Sequence, residues 1–289
     1  MGWRVSGSPP ARSRLTVALA LAAFACDGGP PPGGAEASSE APDTLVLEPY
    51  VGRLVTLTGR LHGDSLRLLF DTGGGETLLA PHVALRVPCT PAGRSVGVRM
   101  SGERVEWPLC HDVTLEFGGR EIVDATTGIW DIAALLPPGL PRLDGVVSLE
   151  TFRGRALTLN LSASRIVLET GGSLEERVRT MMAVPIRIAT GNDGTQLTVL
   201  VEGRLRGAGS DAWFLLDSGN LAETVLAPHL TPAVRDSIVT ITLGDRLDVS
   251  APSLTEDIIY DGALSEAFLR QLIVTLDLST GRAWVAPAP

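Results

Sequence analysis

Two segments of this chain are near copies of each other, and each is built around one aspartate. Residues 69–82 read Leu-Phe-Asp-Thr-Gly-Gly-Gly-Glu-Thr-Leu-Leu-Ala-Pro-His, and residues 215–229 read Leu-Leu-Asp-Ser-Gly-Asn-Leu-Ala-Glu-Thr-Val-Leu-Ala-Pro-His. One inserted residue aligns Asp71-Thr72-Gly73 with Asp217-Ser218-Gly219 and Glu76-Thr77 with Glu223-Thr224. Each loop is entered from an apolar run. A duplicated loop of this kind offers a way to bring two carboxylates face to face.

The duplication extends in both directions. Upstream, Gly59-Arg60-Leu61 precedes Asp71 as Gly203-Arg204-Leu205 precedes Asp217. Downstream, Val113-Thr-Leu-Glu-Phe-Gly-Gly-Arg120 mirrors Val239-Thr-Ile-Thr-Leu-Gly-Asp-Arg246. Asp144-Gly-Val-Val-Ser148 then matches Asp261-Gly-Ala-Leu-Ser265, and Leu157-Thr-Leu-Asn-Leu-Ser162 matches Val274-Thr-Leu-Asp-Leu-Ser279, with Arg165 opposite Arg282. Solenoids and propellers need several short units. Two long units instead predict a pseudo-dimer with function at the seam, its lobes at residues 48–170 and 183–289.

Val55-Thr-Leu-Thr, Val113-Thr-Leu-Glu-Phe and Val274-Thr-Leu-Asp-Leu alternate apolar and polar residues at period two, which predicts strands. Ser173 and Glu176 have capping-box spacing, so a connector helix is expected within 171–182. The expected class is mostly β.

The first 26 residues read as a secretory signal: Arg4, Arg12 and Arg14, then an apolar core from Leu15 to Ala25 that is too short to span a bilayer. Two outcomes compete, cleavage after Ala25 or lipidation of Cys26. The Gly/Pro/Ser/Ala-rich stretch over 27–47 reads as a flexible tether, which favours a lipid-anchored form. Either outcome places the mature protein outside the cytoplasm, in the periplasm or anchored to a membrane, with that lipid as its membrane contact.

Setting Cys26 aside leaves Cys89 and Cys110, an even pair in an oxidising compartment, so a disulfide is expected. From His82 to Val113 is 31 positions but from His229 to Val239 only 10, so the first lobe carries an insertion. Within it, Val98-Arg-Met-Ser-Gly-Glu-Arg-Val105 predicts a hairpin turning at Ser101-Gly102. A hairpin present in one lobe, stapled at its base, is a candidate flap over the seam, with Met100, Ser101 and Gly102 at its tip.

The pattern apolar-apolar-Asp-Thr/Ser-Gly, followed later by Asp-Gly-apolar-apolar, resembles the aspartic proteases of the pepsin and retropepsin kind, here as a two-lobed bacterial member. The likeness covers nearly all of residues 48–289. It implies a two-lobed β fold in which Asp71 and Asp217 are catalytic. It also implies that Thr72 and Ser218 buttress the opposite loop, and that Gly73 and Gly219 permit close approach. It implies a peptide or protein substrate, a monomer, and no metal or organic cofactor. Two departures stand out. Ser148 and Ser265 occupy positions where the family has glycine, and Gly74 and Asn220 follow the conserved glycines where Ala, Ser or Thr is usual.

Other readings are poorer. A net charge of −9 without a basic stripe argues against a nucleic-acid partner. The serines lack a Gly-x-Ser-x-Gly elbow. Asp71-Thr-Gly-Gly-Gly resembles the phosphate loop of actin-like ATPases, but that fold needs helices between its strands. His82 and His229 read as loop structure, His62 and His111 have no partner at metal spacing, and Asp144 and Asp261 read as turn formers. The alternative that keeps the fold is a degenerate, non-cleaving lipoprotein acting as a peptide-binding or scaffold module.

Overall fold

The computed structural model describes residues 41–289, apart from 53, 87–88, 137, 221–222 and 231–237. The expected signal segment, Cys26 and most of the tether lie outside the described residues.

Period-two patterning becomes strands with one buried face. Val55–Leu61 buries alternate residues toward its end, and Gln196–Leu205 alternates along its whole length. In the first lobe, Val55–Leu61 folds back antiparallel on Asp64–Phe70 through His62 and Gly63, both at positive φ (51° and 88°). That geometry suits a tight two-residue hairpin, whose twist matches the strands. Asp64–Phe70 then runs parallel to Gly145–Val147, whose other edge pairs antiparallel with Leu78–Leu79. Arg120–Ile129 and Arg104–Phe117 follow, and Arg60 pairs with Glu116 to close the sheet on itself.

The second lobe repeats this order. Gln196–Leu205, Asp211–Leu216, Gly262–Leu264, Thr224–Leu226, Leu247–Thr255 and Ile238–Leu243 lie side by side, and Gly203 pairs with Leu243 to close the sheet. The register matches as well: Leu68 pairs with Gly145 as Phe214 pairs with Gly262.

A six-stranded antiparallel platform joins the lobes, in the order Met182–Val184, Arg282–Pro287, Leu272–Asp277, Ala156–Asn160, Arg165–Glu169 and Asp43–Pro49. At its centre Thr158 pairs with Thr275, and their hydroxyls lie 2.8 Å apart. These two threonines are equivalent in the sequence repeat. A residue pairing with its own repeat partner marks a pseudo-two-fold axis, and that axis passes between them. The connector helix is Gly171–Val178, and its N-cap is Thr170, which exchanges hydrogen bonds with Ser173. The predicted box was displaced by three residues because a hydroxyl at Ser173 serves as the reciprocal group that a glutamate usually supplies.

The insertion forms a long hairpin of Thr90–Val98 against Arg104–Phe117, turning at Arg99–Glu103, where Arg99 N–H donates to the Glu103 carbonyl (2.9 Å). Cys89 and Cys110 are bonded at its base, with Cα atoms 5.1 Å apart. Its second strand runs without a break from the flap into the lobe's sheet, so the strand expected to begin at Val113 begins instead at Arg104.

Candidate active site

Each aspartate directly follows a strand, Asp64–Phe70 in the first lobe and Asp211–Leu216 in the second. Asp71 N–H donates to the Val147 carbonyl and Asp217 N–H to that of Leu264, both at 3.1 Å. The two loops then lock together. Thr72 N–H donates to Ser218 Oγ and Ser218 N–H to Thr72 Oγ1, each at 3.0 Å. Thr72 Oγ1–H donates to the Leu216 carbonyl (2.8 Å) and Ser218 Oγ–H to that of Phe70 (3.0 Å). Each hydroxyl thereby both donates and accepts across the seam, and both residues are fully buried.

Gly73 and Gly219 allow this approach. A Cβ on Gly73 would stand 2.5 Å from Asp217 Oδ1, and one on Gly219 would stand 2.4 Å from Asp71 Cγ. No side chain fits in either place.

Each carboxyl thus lies against the glycine of the opposite loop; Asp217 is buried and Asp71 partly buried, and their surroundings differ. Asp71 Oδ1 accepts the N–H of Gly73 (2.8 Å) and Gly74 (3.0 Å), and the Gly219 N–H also reaches this carboxyl. Burial pushes Asp71 above the usual carboxylate range, and these donors oppose the rise. Asp217 is pushed well above that range, first by burial and then by the charge of Asp71, against the N–H groups of Gly219 and Asn220. Both carboxyls are therefore held above the usual range, Asp217 the more strongly. Asn220 contributes its backbone N–H, while its side-chain amide donates to the Glu223 carbonyl (3.4 Å).

Ser148 and Ser265 lie behind the loops, both fully buried. Ser148 Oγ lies 3.3 Å from Thr77 Oγ1 and accepts the Glu150 N–H (3.2 Å), and Ser265 Oγ lies 3.4 Å from Thr224 Oγ1. The departure from glycine is thus matched in each lobe by a threonine at the far end of the loop, and these hydroxyls serve the loop and not the carboxyls.

The hairpin tip reaches the second lobe. Met100 packs against Leu215, Val225 and Ala263 beside Leu254, Ile258 and Tyr260, and its carbonyl accepts the Ile259 N–H (3.0 Å). Burial pushes the Tyr260 hydroxyl above its usual range. Ser101 and Gly102 lie in the exposed turn, where Ser101 Oγ accepts the Glu103 N–H (3.5 Å).

Several residues escaped the sequence reading. His82 Nε2 lies 2.8 Å from Asp144 Oδ1, whose Oδ2 accepts the Arg67 N–H. His229 Nε2 lies 3.1 Å from Asp261 Oδ1, whose Oδ2 accepts the Trp213 N–H. The signal was present, since both repeats carry His and Asp at matched positions. Glu76 was passed over although it stands five residues after Asp71. It is 2% exposed and joins the loop to the hairpin.

The sequence matches no family model and no curated protein. Among solved structures, it superposes on Basic 7S globulin from soybean with a TM-score of 0.55 and 11% identity, covering 85% of this chain and 94% of that one. The fold is pepsin-like. That protein is named as a globulin and not as a hydrolase, so the likeness carries the fold alone. Surface cavities of about 330 and 620 Å³ exist elsewhere, and neither is lined by either aspartate of the pepsin-like seam.

Proposed function

We propose that this protein is an extracytoplasmic aspartic endopeptidase in which Asp71 and Asp217 activate a water to hydrolyse peptide bonds. The observation that carries the reading is that each carboxyl lies against the glycine of the opposite loop, the two loops being held across the seam by reciprocal Thr72–Ser218 bonds. Two carboxyls so placed share one proton. Asp71, supplied with backbone donors, is the base that takes a proton from the water. Asp217 donates its proton in a hydrogen bond to the scissile carbonyl, and the roles exchange as the tetrahedral intermediate collapses. The chemistry needs no metal or organic cofactor. An extended peptide would enter under the Thr90–Phe117 flap and pair its backbone with that edge.

Both aspartates belong to one chain, so the working unit is a monomer and activity should be independent of dilution. The Cys89–Cys110 bond suits an oxidising compartment, which supports secretion to the periplasm or retention there through a lipid on Cys26. The experiment is incubation with a random peptide library across pH, beside Asp71→Asn. Cleavage by the wild type alone, with an acidic optimum, is the expected result. Absence of cleavage at every pH would leave the peptide-binding scaffold as the reading.

A further inference from the structure

Glu76 is a buried carboxyl that the proposed chemistry does not use. Its Oε2 accepts three donors: Ser95 Oγ–H at 2.7 Å, Trp107 Nε1–H at 3.2 Å and Gln196 Nε2–H at 3.5 Å. Ser95 and Trp107 stand opposite each other on the two flap strands. Ser95 Oγ itself accepts N–H bonds from Asn192 (2.6 Å) and Gln196 (3.2 Å), so its single proton is committed to Glu76. Both amides also donate to the Val96 carbonyl. Asn192, Asp193 and Gly194 take positive φ in the turn that aims Asn192 at the flap. The neighbouring Gly75 carbonyl accepts the Leu197 N–H at 2.7 Å. One carboxyl thus joins the Asp71 loop, both flap strands and the second lobe's hairpin.

The satisfaction is one-sided. Glu76 Oε1 is buried and has no hydrogen-bond partner among the described residues. A neutral carboxyl in this place leaves its single O–H without an acceptor. An ionised one puts a charge into a nearly water-free site with only one oxygen solvated, a far larger cost. The charged groups around it do not relieve this. Glu150 on the segment behind adds repulsion. Arg153 pairs with Glu150 through Nε (3.0 Å) and donates through Nη2 to the Gly194 and Gln196 carbonyls. On the flap, Arg94 and Glu106 pair with each other. Asp193 sits exposed on the hairpin turn, and Asp71 is committed to its own loop. Burial accordingly pushes Glu76 above the usual carboxylate range, against the donors from Ser95, Gln196 and Trp107.

We propose that Glu76 is a positioning residue that latches the flap over the aspartate pair while neutral and releases it on ionisation. The inference rests on the reading of residues 90–117 as a flap, but not on peptide cleavage. Flap closure should weaken by up to about tenfold per pH unit from the ordinary carboxylate range up to the raised pKa of the latched form, and level off above it.

The test is hydrogen–deuterium exchange over 90–117 in the full chain, corrected for intrinsic rates, from acidic to neutral pH. Wild type should lose protection as pH rises, and Glu76→Gln, which keeps a neutral acceptor, should hold it. Glu150→Gln removes a nearby negative charge without touching the latch and should move the transition to lower pH. It also keeps the test decisive if Glu76→Gln folds poorly. If peptides are cleaved, KM should rise through the same transition in wild type and stay level in Glu76→Gln, with kcat still following the dyad. A pH-independent flap in wild type, or an unmoved transition in Glu150→Gln, would overturn the proposal. A chain that cleaves nothing yet shows the transition would sink the protease reading and leave the latch standing.

Discussion

The two lobes share a strand order, a register and a loop sequence, yet they do different work at the seam. Asp71 gathers N–H groups from Gly73 and Gly74 of its own loop. Asp217 is the more deeply buried and is raised the more, first by burial and then by the charge of Asp71. Glu76 is sealed beneath the flap, while its repeat partner Glu223 is exposed. The first lobe covers its apolar face with its own Trp107 and Leu109, whereas the equivalent face of the second lobe is covered in part by Met100 reaching across. Duplication supplied matched parts. The single inserted hairpin made them unequal, because it desolvates one lobe from within and the other only at its tip.

The largest effect should come from the pair itself. Asp71→Asn or Asp217→Asn should each lower peptide cleavage by about 10²–10⁴-fold, the range of acid–base catalysis, with circular dichroism unchanged. Near wild-type turnover in either variant would break the dyad. The same variants separate the two lobes by stability. Both carboxyls titrate above an unfolded carboxyl, near pH 3.9, so their stabilising contribution is complete below that pH and is lost as pH rises through their folded values. Asp217, raised the more, accounts for most of that loss. Asp217→Asn should therefore melt above wild type at neutral pH, with the gap widening as pH increases and exceeding that of Asp71→Asn. Equal gaps would erase the asymmetry.

Next in size is the staple of the inserted hairpin. The cysteines are 21 residues apart in sequence, and on the loop-entropy model the bond contributes about 3 kcal/mol. Cys89→Ser with Cys110→Ser should lower stability by that order in denaturant titration, and exchange should rise first in the flap. Two free thiols in mass spectra of oxidised protein would remove this difference between the lobes.

The seam's reciprocal bonds should respond symmetrically. Thr72→Ala and Ser218→Ala each delete one donor and one acceptor and leave buried backbone groups unpaired, at about 1–3 kcal/mol apiece. Thr72→Ser should recover most of the loss. A large effect at one site and none at the other would show that the grip is not shared. The smallest expectation concerns Asn220. Its backbone N–H, not its amide, serves Asp217, so Asn220→Ala should leave the acidic limb of the rate profile in place, and a shift in that limb would restore the side chain to the dyad.

Two lobes, their strands and the pairing of Asp71 with Asp217 were legible in the sequence because these are local and repeated signals. Period-two alternation dictates which face of a strand is buried, and an aspartate before a hydroxyl residue and glycine recurred in the same context. The hairpin and its cysteines were legible as the stretch that breaks the repeat. Even the His82–Asp144 and His229–Asp261 pairs were available in principle, as matched residues at matched offsets. The donors at each carboxyl were not. Asn220 follows Ser218-Gly219 in the sequence, but its amide turns to the Glu223 carbonyl, and it is Asp71 that draws two N–H groups, from Gly73 and Gly74 of its own loop. Nor could Glu76 and Glu223 be told apart, since both precede threonine at the same place in the repeat. Their environments are set by Ser95, Trp107 and Gln196, which are distant in the chain. Local pattern determines backbone pairing because hydrogen bonding along strands is short-ranged, whereas the charge state of a carboxyl depends on every group that displaces water around it, and only tertiary packing decides which groups those are.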